Sequence, residues 1–300
     1  MRSKHHRMRV VSAAACLTAL VMLSLVANAA AKLTGHFEQF AQCPYTNEEV
    51  RKCLYSVTES GEVVLGNKKV PITNPAVLQG GYNRVDEETG FAKKFFAATN
   101  GITLSKAPQS VPGGLLGIVP PEKSPPLVKA LSAFFFENAL TGVNSTLELA
   151  KTASDIKISE PHLAEELGVA LVLPVKVHLE NPFLGKNCFV GSSSSPVTFE
   201  LTSGVTSPPG PNKSIKGSAG ELEFFEEGSV LKLKNSSLVD NAWSAPAASG
   251  CGGILAFLVN PIINAQIGLP SAKGKNTAIL NGPINVASAA ATRLNNEEHP

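Results

Sequence analysis

Four cysteines limit the folds open to this 300-residue chain. Cys43, Cys53, Cys188 and Cys251 lie outside the N-terminal leader described next, and an even number of cysteines in an exported chain indicates disulfides. Three pairings are possible. Cys43 and Cys53 share one short segment, and Cys188 and Cys251 both flank the strand-rich half, so we expect Cys43–Cys53 and Cys188–Cys251 bonds. A four-cysteine zinc site is the alternative, but neither pair has the close C-x-x-C spacing.

The N-terminus has the pattern of a secretory signal peptide. Four basic residues fall within the first nine positions, and the chain is then mostly apolar over residues 10–26. Ala27-Asn28-Ala29 supplies small residues for a peptidase, so we expect cleavage after Ala29, with Ala31 as second choice. A retained membrane anchor is the alternative, because a run of about 17–25 apolar residues can span a bilayer. Lipoprotein anchoring at Cys16 is disfavoured, since the apolar run continues beyond that cysteine.

Loss of residues 1–29 changes the charge of the chain. Four of the 26 basic residues are lost with the leader, which leaves 22 basic and 24 acidic residues. The net charge therefore changes from +2 to about −2. Without a lysine or arginine cluster, the sequence gives no reason to expect a nucleic acid as partner. We expect a secreted or cell-envelope protein with no transmembrane span in its mature part and no cofactor. Its partner stays unknown, with an envelope component or an apolar small molecule as candidates.

The periodicity after the leader is mainly that of strands. Residues 175–180 alternate strictly, which places Val175, Val177 and Leu179 on a core face. Residues 197–201 form a second predicted strand. Residues 277–280 and 284–287 read as two further short strands, separated by Gly282-Pro283.

The sharpest local prediction is a hairpin over residues 221–234. A two-residue turn at Glu227-Gly228 would set Leu222 opposite Leu233 and Phe224 opposite Leu231. The same register places two glutamates opposite two lysines on the other face: Glu223 opposite Lys232 and Glu221 opposite Lys234. One register therefore makes both faces complementary.

Two segments have helical spacing instead. Residues 127–140 predict one helix, and residues 254–267 predict another that ends at Gly268 and is kinked or restarted at Asn260-Pro261. We expect an antiparallel β-sandwich or barrel-like domain with one or two helices. The predicted divisions are a β- and turn-rich region at 30–125, with a Pro/Gly-rich connector at 106–126, a β-rich domain at 127–292, and a polar tail at 293–300. The alternative is a single domain over which the connector forms a loop.

The sequence predicts no catalytic, cofactor-binding or metal-binding residue. The common motifs for metalloproteases, nucleotide binding and nucleophilic serines are absent. His162 with Glu165 and Glu166 lacks the final histidine of an inverted zinc motif. Residues 154–157 match Ser-x-x-Lys, but this four-residue pattern is weak because its companion Ser-Asp-Asn and Lys-Thr-Gly motifs are missing. His178 and Glu180 are expected on the solvated face of a strand.

Several segments together resemble a known family. They are Asn181–Ser192, Leu201–Pro209, Val239–Asn241, Gly250-Cys251, Gly268–Pro270 and Gly274–Asn276. These segments are similar to a family of uncharacterised secreted actinobacterial proteins, over roughly residues 140–292. The resemblance implies export and the disulfide pairing given above, and it carries over no catalytic residue.

Function is therefore predicted by class only. We expect a non-enzymatic binding or structural protein, and a secreted hydrolase is the main alternative, with Ser154 paired to His162 or His178. A second alternative is a lipid or other apolar-ligand carrier, because apolar residues gather at 115–119, 134–136 and 254–263. The favoured interpretation of those residues is that the helices close a fully packed core without a cavity.

Overall fold

A computed structural model describes residues 32–117, 121–136 and 141–299, with side chains for all of these except residues 116 and 132–136. The predicted leader and Cys16 lie outside the described residues. The strands are β1 Lys52–Thr58, β2 Ser60–Leu65, β3 Lys68–Pro71, β4 Ala76–Tyr82, β5 Phe95–Ala97, β6 Gln109–Val111, β7 Val143–Leu149, β8 Lys157–Ile158, β9 Leu171–Glu180, β10 Phe189–Val190, β11 Val197–Leu201, β12 Glu221–Phe225, β13 Val230–Asp240, β14 Ala248–Ser249 and β15 Thr277–Ser288. The helices are α1 Pro126–Phe136, α2 Glu160–Ala164, α3 Ala256–Ile267 and α4 Ala289–Glu298.

The strands form two antiparallel sheets that pack as a sandwich and do not close into a barrel. Sheet I has the order β12-β13-β15-β1-β4-β5, with β2 paired to β15 and β3 paired to β2. Sheet II has the order β14-β10-β9-β7-β6, with β8 and β11 both paired to β9. The predicted fold class is therefore confirmed. Sheet I combines strands from the predicted 30–125 region with strands from the 127–292 region.

The alternation in β9 places its side chains as predicted. Val175, Val177 and Leu179 are buried in the main core, whereas Lys176 and His178 are only half-buried on the other face. Strand β11 has the bounds predicted for it, Val197–Leu201, and pairs with the first half of β9.

The hairpin of β12 and β13 has the predicted register. Leu222 pairs with Leu233 and Phe224 with Leu231, while Glu223 is opposite Lys232. At the turn, the Ser229 N–H donates to the Glu226 carbonyl, and both Glu227 and Gly228 have positive φ, as a type I′ turn requires. The ion pair on the charged face is diagonal, from Lys234 Nζ to Glu223 Oε1 at 2.7 Å, and not between directly opposed residues.

The prediction of two strands around Gly282-Pro283 is wrong, because β15 is continuous from Thr277 to Ser288. Its first half pairs with β2 and its second half with β1. Pro283 has no N–H for a ladder, and it lies where β15 changes partner. At Gly282 a Cβ would lie 2.0 Å from the Val57 carbonyl oxygen, so this close approach of two strands requires glycine.

The predicted helices are found with changed bounds. Helix α1 ends at Phe136 within the described part, and residues 137–140 lie outside it. Helix α3 begins at Ala256, runs through Pro261 as one element, and ends at Gly268 in the left-handed conformation. The predicted glycine stop is confirmed, and the predicted restart at Asn260-Pro261 is wrong, because the helix is one element with Pro261 inside it. None of the helices in the described ranges combines the length and apolar character needed to cross a bilayer.

Both predicted disulfides are present, Cys43–Cys53 and Cys188–Cys251. All four cysteines are buried. The first bond belongs to a second hydrophobic cluster, which we call the outer cluster because it lies on the side of sheet I away from sheet II. Its buried members are Leu33, Phe37, Phe40, Cys43, Val50, Cys53, Phe96, Val230, Ala287 and Ala289.

Candidate functional site

A cavity lies between the inner faces of the two sheets. It provides about 130 Å³ of space that the centre of a water-sized sphere can reach. Sheet I contributes wall residues from β1, β2, β3, β4, β13 and β15, and sheet II from β6, β7, β9 and β11. About 10–15 Å³ of such space already holds one water molecule, so this volume is several times what a single small group needs. The favoured expectation of a fully packed core without a cavity is therefore wrong.

The walls are apolar because alternating strand residues point inward from both sheets. On β9, for example, Leu171, Leu173, Val177 and Leu179 all reach the cavity. The apolar lining residues are Val57, Val63, Leu65, Val70, Ile72, Ala76, Leu78, Leu104, Ala107, Val111, Leu115, Val143, Leu147, Leu171, Leu173, Val177, Leu179, Leu184, Phe199, Leu238, Trp243, Ile263, Ile267, Leu280 and Ile284.

Several polar residues of the wall are already bonded to backbone. The Gln109 amide accepts from the N–H groups of Thr73 and Asn74, at 2.8 and 3.0 Å, and donates to the Asn74 carbonyl at 2.7 Å. Ser236 Oγ donates to a carbonyl oxygen at 2.7 Å, and Ser105 Oγ accepts from an N–H at 2.8 Å. Buried polar atoms that are satisfied in this way add little polarity to a binding surface.

Lys68 is the one charged residue of the wall in the described part of the chain. It is the first residue of β3, and its ammonium lies against Gly117, where an added Cβ would be 2.6 Å from Nζ. Partial burial holds the pKa of the Lys68 ammonium below its usual range. No described carboxylate forms an ion pair with Lys68, whereas its neighbour Lys69 pairs with Glu62 at 2.6 Å.

Trp243 also lines the cavity and is the single tryptophan of the chain. It packs edge-on against Phe199, with ring centroids 5.0 Å apart. Its indole Nε1 is buried and has no hydrogen-bond partner within the described residues. The fluorescence of Trp243 can therefore report on the interior of this cavity.

Helix α3 forms part of the wall with Ile263, Gln266 and Ile267. Its position is fixed by asparagine side chains: Asn260 Oδ1 accepts from the Cys251 N–H, and the Asn264 amide bonds both the N–H and the carbonyl of Ala248. The Cys188–Cys251 disulfide holds the same region.

The apolar segments expected at a concavity contribute only in part. Leu115 and Ile263 line the cavity, whereas several residues of the 254–263 segment face solvent. These exposed residues are Ile254, Leu255, Phe257, Leu258 and Ile262. Residues 118 and 119 and the side chains of Phe134, Phe135 and Phe136 lie outside the description.

A charged cluster covers the outer face of sheet II. Glu148 is at its centre, with Lys106 Nζ at 2.8 Å, Lys176 Nζ at 3.3 Å and His178 Nδ1 at 3.8 Å. Burial raises the pKa of the Glu148 carboxyl, but hydrogen bonds from the two lysines outweigh this effect, so the pKa lies below its usual value. His178 and Glu180 therefore belong to a cluster of polar side chains around Glu148 rather than to an isolated solvated pair.

The structure does not bring the hydrolase candidates together. Ser154 Oγ bonds Thr152 Oγ1 at 2.8 Å, while His162 Nδ1 bonds the Val169 carbonyl at 2.8 Å. His178 faces Glu148 and Glu180. No hydrogen bond joins Ser154 to either histidine among the described residues. No group of three metal-ligating side chains is found in the described part of the chain.

The chain matches no protein-family model, no curated protein and no solved structure. The resemblance to secreted actinobacterial proteins therefore stays a prediction, and the cavity is interpreted from its own residues.

Sequence reasoning missed Lys68 as a site residue. Lys68 and Lys69 are adjacent and look equivalent in the sequence, but alternation in β3 directs them to opposite faces. Hydrophobic Val70, two residues after Lys68, shares its face and is buried in the main core. The alternation of Lys68 with Val70 could have predicted that Lys68 faces the core, but it could not predict that a cavity lies there.

Proposed function

We propose that the protein is a non-enzymatic binding protein that holds an apolar ligand between its two sheets. The observation that carries this proposal is the cavity, with walls built mostly from aliphatic and aromatic side chains. An apolar ligand would gain about 25 cal/mol for each Å² of apolar surface removed from water, and the wall offers few polar groups that would have to be desolvated without a partner.

The compartment proposed for this function is extracellular or in the cell envelope. Two disulfides agree with an oxidising environment. The signal-peptide pattern of residues 1–29 supports export of the chain. A binding protein in that location would give a poorly soluble molecule a protected route through water.

Trp243 provides a direct test. Titration with 12-bromododecanol should quench the Trp243 fluorescence of the folded protein, because bromine quenches indoles that it contacts. Unbrominated dodecanol should leave the fluorescence high and should relieve the quenching by competition. Saturable quenching that dodecanol reverses would support an apolar site next to Trp243.

A variant with a larger side chain in the cavity is the control. Ser56 is opposite Leu78 on β4 and Ile284 on β15, and all three residues line the cavity. Ser56→Phe should therefore weaken quenching at least tenfold in ligand concentration. The same substitution at exposed Ser193, Ser193→Phe, should leave it unchanged. Absence of quenching in the folded wild type, or equal quenching in Ser56→Phe, would reject the proposal.

A further inference from the structure

Lys68 is the one charged residue, within the described part of the chain, in a wall that is mostly apolar. It is the first residue of β3, and its Nζ lies next to the backbone of Gly117. Gly117 follows the 3-10 turn Gly114–Leu116, in which Gly114 and Leu115 also line the cavity. The ammonium is therefore placed between β3 and this turn, at the edge of the apolar space.

The carboxyl end of helix α3 packs beside the same region. The N–H of Asn67, the residue before Lys68, donates to the Ile267 carbonyl at 2.7 Å. Gln266, the residue before Ile267, contributes an amide to the cavity wall. Lys68 and Gln266 thus belong to two segments that contact each other, and both offer N–H donors.

The charge on Lys68 has no counter-charge from the protein within the described residues. Its neighbour Lys69 differs, since Lys69 Nζ is 2.6 Å from a carboxylate oxygen of Glu62. Removing an ammonium from water without an anionic partner is unfavourable, which is why burial lowers the pKa of Lys68. A bound anion would supply the missing partner.

We infer that the ligand is a single-chain amphiphile with an anionic head group, its chain lying between the sheets and its head group accepting hydrogen bonds from Lys68 Nζ. This inference rests on the proposed function. A carboxylate and a phosphate share the chemistry that an ammonium recognises, and a hydrogen bond to a charged group is stronger than a neutral one. Lys68 is then the residue that distinguishes an anionic amphiphile from a neutral one of the same chain length.

The test compares three ligands of equal chain length at pH 8. These ligands are 12-bromododecanoic acid and 12-bromododecanol, followed by Trp243 quenching, and dodecyl phosphate, followed by its competition against the bromoalcohol. In the wild type, the acid or the phosphate should bind at least about tenfold more tightly than the alcohol. The difference between those two anions would show whether a carboxylate or a phosphate suits the rim better.

Variants then assign the preference to Lys68. Lys68→Met should reduce anion affinity to the level of the alcohol and leave alcohol affinity unchanged, while Lys68→Arg should retain the preference. Lys69→Met is the matched control, and it should bind all three ligands as the wild type does. Circular dichroism checks that each variant is folded, and the wild-type comparison stands even if a variant is not.

The outcomes separate this inference from the proposal on which it rests. Equal binding of the acid, the phosphate and the alcohol by the wild type would overturn the role of Lys68 and keep the apolar site. A preference that survives Lys68→Met would also overturn it. If none of the three ligands binds the folded wild type, the proposed function itself fails, and this inference fails with it.

Discussion

Sheet I buries apolar side chains on both of its faces, and the two faces differ in what lies against them. On the outer face, the 3-10 turn Gly35–Phe40, the Cys43–Cys53 bond and helix α4 pack against the strands, and Phe40, Cys53 and Ala287 are at most 1% exposed. On the inner face, sheet II lies opposite, and the cavity remains between the sheets.

The two faces differ because short chain segments pack against the outer face, whereas a second sheet packs against the inner face. A short segment can follow the surface of a sheet and fill it, and α4 is held in place when the Arg293 guanidinium donates to the Tyr45 carbonyl at 2.7 Å. The distance between two packed sheets is set by the side chains that meet between them. Small residues such as Ser56 and Ala76 on the inner face leave the cavity open.

The two disulfides allow the outer and inner regions to be tested separately, because each bond lies in a different one of them. The Cys43–Cys53 bond closes 10 residues beside the outer cluster, and Cys188–Cys251 closes 63 residues near α3. In the chain-entropy model the longer loop stabilises more, about 4 kcal/mol against about 3 kcal/mol. We expect the Cys188→Ala/Cys251→Ala pair to lower the free energy of unfolding more than Cys43→Ala/Cys53→Ala.

Urea unfolding of the two double variants measures this difference. The Trp243 titration on the same proteins adds a functional readout: loss of Cys188–Cys251 should weaken bromododecanol binding, because that bond and Asn260 together fix α3. Loss of Cys43–Cys53 should leave binding intact in the fraction that is folded. The reverse pattern would show that the outer cluster, and not α3, controls the cavity.

A pair of small-to-large substitutions tests packing on the two faces directly. Ala287→Phe adds a ring to the outer cluster at a residue with 0% exposure, and overpacking of this kind should cost about 3 kcal/mol. Ser56→Phe adds a similar ring to the cavity, where space is available. It should change the free energy of unfolding by less than about 1 kcal/mol, or increase it through new apolar burial.

Thermal and urea unfolding distinguish the two faces. A large loss of stability for Ser56→Phe, equal to that of Ala287→Phe, would mean that the inner face is as tightly packed as the outer one. In that case the space between the sheets could not hold a ligand chain.

Much of the fold could be predicted from the sequence, because local chemistry determines it. The β12–β13 register follows from matched pairs such as Leu222 with Leu233, and the disulfide plan follows from loop length. The continuity of β15 could not be predicted, since Gly282-Pro283 reads as a break until the exchange of strand partners is seen.

The candidate site was harder to predict for a physical reason. Alternation shows which side chains face inward, as for Val177 and Leu179, but it does not give the distance between two sheets. Whether inward side chains meet or leave a cavity depends on contacts between residues far apart in the chain. Lys68 shows the same limit, because only the cavity distinguishes it from Lys69.

The smallest predicted effect concerns Lys68 in the ligand-free protein. Burial places the folded-state pKa of Lys68 below its ordinary value of 10.5, so between the two values the unfolded chain binds more protons. The free energy of unfolding of the wild type should therefore rise as pH increases through that window. At neutral pH the charged Lys68 should lower the free energy of unfolding by the full amount. Lys68→Met removes the charge and should stabilise the ligand-free protein at pH 7, by less than about 1 kcal/mol because the group is still partly solvated.

Lys69→Met should instead cost up to about 1 kcal/mol through loss of the Glu62 pair. Urea midpoints at pH 7 and near pH 10.5 measure both differences, and the gain from Lys68→Met should shrink at the higher pH. A Lys68→Met variant less stable than the wild type at pH 7 would mean that Lys68 already has a partner, and the cavity rim would then hold no free charge for a ligand.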